Sequence, residues 1–353
     1  MNKKSKILTF CGSLGLVAVL TLTALYFIID FKPKGHHIID EWNSNDEYSE
    51  KYVVTLEKDS NKSFTILNLA DIQLSDFEPR GTFKTLKKMI NELIERTHPD
   101  LITLTGDQIW TEHSKYAFRR EVKWFEGFKV PWAPVFGNHD KEGSATLDWQ
   151  SDKLEKADYC LYKRGPSNIG GIGNYVLNIK ENGKVYKSLY MLDLGNVDDF
   201  SDEKVDFIKW HAFANKDYNG RIFPESLCFF HKGIDAFNYA LQSYKADNSI
   251  AIGDFYLQNY IADKGCGENF FEAAKEINVT DIICGHQHEN LFTIPYEGIR
   301  LSFGLKTGDM CSVYIDQNNP HTFICGGTSI TFNGDDVIYK TNYVGEEYRI
   351  KSK

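Results

Sequence analysis

Residues 283 to 290 read ICGHQHEN, an apolar run that closes on two histidines either side of a glutamine. Side chains at i and i+2 of a strand share a face, so His286 and His288 converge on one ligand if the extended backbone continues past Gly285. Four other apolar runs finish in the same manner. ILNLAD ends at Asp71 with Gln73 two residues on, LITLTGD ends at Asp107, APVFGNHD ends in Asn138, His139 and Asp140, and LCFFH ends at His231. One strand-end histidine is most often a hydrogen-bonded structural group. Five runs that all end in carboxylates, amides or imidazoles call for a common cause. Together they offer oxygen and nitrogen donors suited to hard or borderline divalent ions, namely manganese, magnesium, iron or zinc. No cysteine joins the set, which argues against structural zinc, and seven or more donor side chains exceed what one tetrahedral ion uses. A pair of ions about 3.5 to 4 Å apart, sharing a carboxylate or hydroxide, accounts for the number.

Such a cluster needs elements that deliver each group to one edge. YVVTLE and SFTILNLAD read as strands, and GTFKTLKKMINELIERTH places Phe83, Leu86, Met89, Ile90, Leu93 and Ile94 on one helical face. Pro99 stops that helix before the buried strand DLITLTGD, and the order helix, proline, apolar strand, glycine, polar cluster recurs in VKWFEGFKVPWAPVFGNHD. Alternation of this kind predicts an α/β fold with a largely parallel sheet, whose ligand groups gather at the carboxyl ends of the strands. Further along come a hairpin turned at Asn182 and Gly183, a helix over DEKVDFIKWHAFA, the strand SLCFF, a helix over GENFFEAAKEI and the strand VTDIIC. The last fifty residues read as strands with glycine and asparagine turns. Glycines 106, 137 and 285 stand beside candidate ligands, where a sharp departure from a strand helps to aim a short side chain.

The N-terminus carries a different signal. Lys3, Lys4 and Lys6 precede an uncharged stretch from Ile7 to Ile29, 23 residues and long enough to span a bilayer. This predicts a signal anchor over 1–30 with the catalytic part outside the cytoplasm, a single-pass protein of the cell membrane. Cleavage near Ala24 and secretion is the alternative. Residues 31–51 read as a polar linker, and 52–353 as the folded domain. The net charge is −9, and residues 30–353 carry −12, which disfavours non-specific binding of nucleic acid. Cys228 and Cys284 lie in apolar runs and read as small buried hydrophobes, and no disulfide pairing is predicted. His36, His37, His98, His113 and His211 read as linker, helix-end or structural histidines.

The order D-x-Q at Asp71, G-D-Q at Gly106, G-N-H-D at Gly137, a strand-end His231 and G-H-x-H at Gly285 resembles the calcineurin-like metallophosphoesterases over roughly residues 62–305. GIGNYVLNI, CGENFFEAAKEINVTDIICGHQHEN and GIRLSFGLKTG look most like the purple-acid-phosphatase-like branch. The resemblance implies a four-layer αββα sandwich of two mixed β-sheets flanked by helices. It also implies that Asp71, Gln73 and His288 hold a first metal, that Asp107 bridges, and that Asn138, His231 and His286 hold a second. On the same basis His139 protonates the leaving oxygen, Asp140 orients His139 by a hydrogen bond, and Asn138 with His139 meets the substrate. The implied activity is hydrolysis of a small phosphorylated substrate, foremost a phosphomonoester, with phosphodiesters or nucleotide pyrophosphates as the alternative and a non-catalytic binding protein as a third reading.

Three positions depart from the family pattern. Gln73 stands where the family usually has histidine; its amide oxygen favours manganese, magnesium or iron, and D-x-Q also resembles a manganese-dependent ADP-ribose pyrophosphatase branch. Trp110 replaces the tyrosine that colours purple acid phosphatases. Lys232 follows His231 in place of a proline and reads as an exposed lysine. Loops 74–81, 110–116 and 141–145 are the expected determinants of substrate choice.

Overall fold

In the strand Glu225–Phe229 and the residue after it, Leu227 and Phe229 join one hydrophobic core while Cys228 and Phe230 join another. A strand buried on both faces must lie in the middle of a layered structure, and the rest of the chain builds those layers. The computed structural model describes residues 40–75, 83–195, 199–257, 266–308 and 324–344. Its strands are β1 (Val53–Glu57), β2 (Phe64–Leu69), β3 (Leu101–Thr105), β4 (Trp132–Val135), β5 (Tyr175–Glu181), β6 (Lys184–Met191) and β7 (Glu225–Phe229). They continue with β8 (Tyr256–Leu257), β9 (Val279–Cys284), β10 (Asn290–Tyr296), β11 (Ile299–Phe303), β12 (Gly326–Asn333) and β13 (Asp336–Tyr343). The helices are α1 (Phe83–Thr97), α2 (Ser114–Glu126), α3 (Leu147–Leu154), α4 (Asp202–Tyr218), α5 (Asp235–Ala246) and α6 (Glu268–Glu276).

One sheet runs β13-β12-β2-β3-β4, the other β1-β5-β6-β7-β9-β11-β10-β8. Both are mixed: β2, β3 and β4 pair in parallel while β12 joins antiparallel, and β6, β7, β9 and β11 pair in parallel, as do β1 and β5, while β5 is antiparallel to β6 and β10 to β11 and β8. The first core holds Leu67 and Leu104 of the smaller sheet, Leu189 and Leu227 of the larger, and Leu86 and Phe125 of α1 and α2. The second holds the other face of the larger sheet against Ile208, Phe237 and Phe270 of α4, α5 and α6. The mixed α/β architecture expected from the sequence is therefore present, with two sheets face to face and helices outside. Pro134 sits in β4, an edge strand, where its missing N–H breaks no inner ladder. The predicted hairpin forms between β5 and β6, with Asn182 at φ 52° and Gly183 at φ 74°, the backbone that a two-residue primed turn requires.

Within 40–51, the described end of the expected polar linker, Asp40, Trp42 and Tyr48 pack on the domain while the other residues are exposed. Trp42 is buried edge-on to Phe207 at 5.4 Å, its backbone N–H donates to Asn168 Oδ1 at 3.0 Å, and its carbonyl accepts from Asn168 Nδ2 at 2.8 Å. Asp40 accepts from the Tyr52 hydroxyl at 2.6 Å. Aromatic area in the segment outweighs its polar composition, because α4 offers a matching face. The compact unit accordingly begins at Asp40. The expected span at 7–29 lies outside the described residues, and among those described no helix is long and apolar enough to cross a membrane.

Candidate metal centre

The ends of β2, β3, β7 and β9 meet at one edge shared by the two sheets. Beyond β2 and β3 the chains run side by side, with Asp71 N donating to Gly106 O at 3.3 Å and Gln73 N to Asp107 O at 2.9 Å. Asp71, Gln73, Asp107 and His286 all take left-handed backbone conformations, at φ 52°, 49°, 51° and 70°. Such residues are uncommon away from glycine, and a cluster of four is strain held at one spot by its surroundings. The turn at His286 also alters the sequence expectation. β9 ends at Cys284, and His288 N donates to His286 O at 3.1 Å across a tight turn, so the two imidazoles do not share an extended strand. They still face the same centre, reached by a turn rather than by alternation.

Two groups of ligand atoms result, each with its atoms within 4.8 Å of one another: Asp71, Asp107 and His288 in one, and Asp107, His231 and His286 in the other. Asp107 belongs to both, as a bridging carboxylate must. His231 Nδ1 donates to Thr105 O at 2.8 Å, which fixes the tautomer and leaves the Nε2 lone pair pointing inward. Around that lone pair stand Asn138 Oδ1 at 3.1 Å, His286 Nδ1 at 3.2 Å and Asp107 Oδ2 at 3.3 Å. Asp107 Oδ2 is buried and has no hydrogen-bond donor among the described residues, despite the nearby imidazole. Acceptors converging on one point are arranged for a cation, whether a proton or a metal ion.

The electrostatics agree. Burial works against the charge on Asp71, yet His288, His231 and Lys306 outweigh it and hold its carboxyl below the ordinary range. Burial likewise opposes ionised Asp107, and His231 and His139 overcome it to lower its pKa. Burial disfavours a charge on His231, but Asp107 and Asp71 lift its pKa to about 9, so a proton fills the cation's place when no metal is bound. His286 moves the other way, to about 4, through burial and the neighbouring His231 charge. The glycines explain themselves at this point. A Cβ on Gly137 would sit 2.2 Å from Asp107 Oδ1, and one on Gly285 2.8 Å from Asp71 Oδ2. Of the three singled out in the sequence only Gly106, at φ 85°, also needs its conformational freedom; the other two serve by having no side chain.

The sequence model of the calcineurin-like phosphoesterase family matches residues 64–290. The chain belongs to the calcineurin-like phosphoesterases. It is 26% identical over 269 residues to Phosphatase DCR2 of Saccharomyces cerevisiae, across 67% of this chain and 46% of that protein. To the probable inactive purple acid phosphatase 29 of Arabidopsis thaliana it is 27% identical over 247 residues, across 61% of each. It thus spans only part of the length of the curated relatives it matches. A solved dimetal phosphatase from Danio rerio aligns over 80% of this chain and 96% of its own, with 14% identity and a TM-score of 0.49. The family implies a dinuclear centre of divalent ions, and the donors just described fit one.

In this calcineurin-like phosphoesterase, His139 stands at the rim with its backbone N–H donating to Asp107 Oδ1 at 2.8 Å and its Nε2 3.9 Å from Asp107 Oδ2. Trp110, where a tyrosine ligand was missed, lies against the His139 ring at 5.1 Å between centroids. Asp140 does not orient His139. Its carboxylate is fully occupied by three backbone donors, Gln108 N at 2.8 Å, Ile109 N at 3.1 Å and Gly137 N at 2.8 Å, and so staples the two ligand loops together. Burial and the charge of Asp107 raise its pKa to about 7 against the pull of those donors. The carboxylate that approaches His139 is Glu142, whose Oε1 lies 3.0 Å from Nδ1, outside hydrogen-bond geometry. Beside Asn138 and His231 opens a cavity of about 310 Å³ lined by Lys141, Lys232, Leu147 and Leu194 among others. Lys232, expected as an exposed lysine, is therefore a wall of that cavity. Sequence reasoning gave no role to Lys306, which is 1% exposed and donates to Asp71 O at 3.0 Å and Gln73 Oε1 at 2.8 Å. It too follows an apolar run, RLSFGL, but an ammonium is not a metal-ligand type, so the pattern of strand-end donors gives it no role.

Proposed function

We propose that the chain hydrolyses phosphate monoesters at a dinuclear centre, with manganese the foremost candidate metal. The observation that carries this reading is the pair of ligand groups joined through Asp107. Two divalent ions held there would supply a hydroxide at neutral pH and neutralise phosphoryl oxygens. The chain's own residues do the rest. Asp71, Asp107 and His288 would hold one ion, and Asp107, Asn138, His231 and His286 the other. His139, partly exposed at the rim beside Asp107, is placed to hand a proton to the departing ester oxygen. Trp110 packs against the His139 ring. Lys141 and Lys232 give the adjoining cavity two cations, which suits the dianion of a monoester, and Leu147 and Leu194 give an apolar surface for its organic part. An N-terminal anchor over 7–29 would hold this domain on the outer side of the cell membrane, with secretion after cleavage as the alternative.

The test is hydrolysis by the full-length chain, stripped of metal and resupplied with manganese, of p-nitrophenyl phosphate beside bis-p-nitrophenyl phosphate and ADP-ribose. Asp107→Asn is the blank. Manganese-dependent preference for the monoester is the expected result. Preference for either of the others moves the assignment to a diesterase or nucleotide pyrophosphatase, which the Gln73 position motivates. Metal binding without turnover would place the chain with relatives such as the plant protein whose name marks it inactive.

A further inference from the structure

Lys306 is a buried ammonium that belongs to no ligand group yet touches the first one. Its Nζ donates to Asp71 O at 3.0 Å and to Gln73 Oε1 at 2.8 Å. An ammonium has donors only, so the amide of Gln73 must turn its oxygen to Lys306. The amide nitrogen then faces the centre, where Nε2 of Gln73 lies 3.2 Å from Nε2 of His288. That imidazole nitrogen also stands 3.3 Å from Asp71 Oδ1, in the group that would hold the first ion. Turning the amide over would set an NH₂ group against the ammonium and give up a charge-assisted hydrogen bond. Backbone movement offers no escape: Gln73 is held at φ 49° with its N–H on Asp107 O, and Lys306 pairs with Ala70 across the sheets.

We infer that Gln73 is not a metal ligand, and that Lys306, by holding the Gln73 oxygen, makes the two metal positions unequal. This rests on the dinuclear reading above. The position at Asp107, Asn138, His231 and His286 has four protein donors, and the position at Asp71, Asp107 and His288 has three beside a fixed cation. The first fills tightly and the second is an exchangeable site, so the chain passes through a one-metal form as metal becomes scarce. The departure of D-x-Q from D-x-H thus has a partner elsewhere in the chain: the neutral amide fits a buried lysine that an imidazole in the same place would not satisfy.

The experiment is equilibrium dialysis of the full-length chain against manganese, with bound metal counted by atomic emission and the coupled pair followed by electron paramagnetic resonance. The expected result is one tight equivalent and a second about ten- to hundredfold weaker, the range that losing a charge-assisted hydrogen bond spans. A spin-coupled signal should grow in only with the second equivalent. Gln73→Ala leaves the weaker constant where it was, while Gln73→His tightens that constant alone. Two equal constants in the wild type, or selective weakening of the second by Gln73→Ala, overturns the inference and leaves the dinuclear reading standing. Failure of the wild type to hold any manganese overturns both. Lys306→Met, which removes the ammonium at similar length, is expected to tighten the second equivalent; because this change removes a buried charge, the Gln73 variants carry the decision.

Discussion

His211 is wholly buried on α4 among Phe207, Trp210, Tyr48 and Tyr52, with ring centroids 4.7, 4.9, 5.6 and 6.4 Å away. Neither ring nitrogen meets a hydrogen-bond partner among the described residues. Burial alone pushes its pKa down to about 3. Because the folded value lies below the ordinary 6.5, the unfolded chain takes a proton first as the pH falls. Stability from this site is therefore complete above 6.5, declines below it, and levels off near 3. The slope is about 1.4 kcal/mol per pH unit, so the loss is about 2 kcal/mol between pH 6.5 and 5. Other groups titrate in the same range: Asp140, raised to about 7, acts in the opposite sense. A difference experiment isolates the histidine. His211→Phe keeps an aromatic ring and removes the titration, and the steric cost of the larger ring is the same at every pH. Urea unfolding of both proteins at pH 7 and 5, followed by tryptophan fluorescence, should show the wild type losing about 2 kcal/mol more than the variant. Parallel profiles would mean that the imidazole is charged or solvated in the folded state, and the reasoning would fail.

Asp107→Asn should leave the fold intact while hydrolysis falls by more than roughly a hundredfold, beyond the cost of losing an outer partner of a ligand; retained turnover on p-nitrophenyl phosphate would contradict the bridging role. Gly137→Ala puts a Cβ 2.2 Å from Asp107 Oδ1 and should abolish manganese uptake in dialysis, whereas full uptake would show that the loop packs otherwise. Asp140→Asn faces three backbone N–H groups with one oxygen and an NH₂, so thermal unfolding should show a cost of about 1 to 3 kcal/mol, which His139→Ala, at the rim, should not show. In the metal-free chain His231 is raised to about 9, so its contribution is full below pH 6.5 and is lost as pH rises through 9. Metal must displace the same proton, and manganese affinity measured by dialysis should climb over that interval; a flat profile would rule out displacement of a proton.

The candidate site was legible because it follows one rule: apolar runs finish in donors at the ends of β2, β3, β4, β7 and β9. That rule placed Asp71, Asp107, Asn138, His139, His231, His286 and His288 together without any knowledge of the layers. What it could not supply were relations set by tertiary contact. The Asp140 carboxylate faces three backbone amides rather than His139, and nothing in GNHD distinguishes the two arrangements. The left-handed turn at His286 is invisible in a run that reads as extended. Helices α3 and α5 went unmarked because their buried positions are Gln150, Ser151 and Leu154 in one and Ala236, Phe237 and Ala240 in the other, too short or too small to show a helical stripe. Segment 40–51 looked like a linker because Trp42 and Tyr48 are sparse among polar residues, although their partners on α4 were waiting in a helix read for its own amphipathic face.

The features that did not show in the sequence share a physical origin with those that did. Two carboxylates at 2% and 0% exposure, four left-handed residues and a glycine that leaves no room for a Cβ are each unfavourable taken alone. They are tolerable together because each relieves another: the turn at Asp107 lets its carboxylate reach both ligand groups, and Lys306 and the Gly308 N–H together hold the Asp71 carbonyl. Cations complete that balance in either form, as a proton on His231 or as divalent ions, with the Lys306 ammonium present in both. Backbone held in these conformations by its surroundings gives the donors fixed positions, and electrostatic preorganisation of this kind is how a centre with the proposed activity would gain its rate.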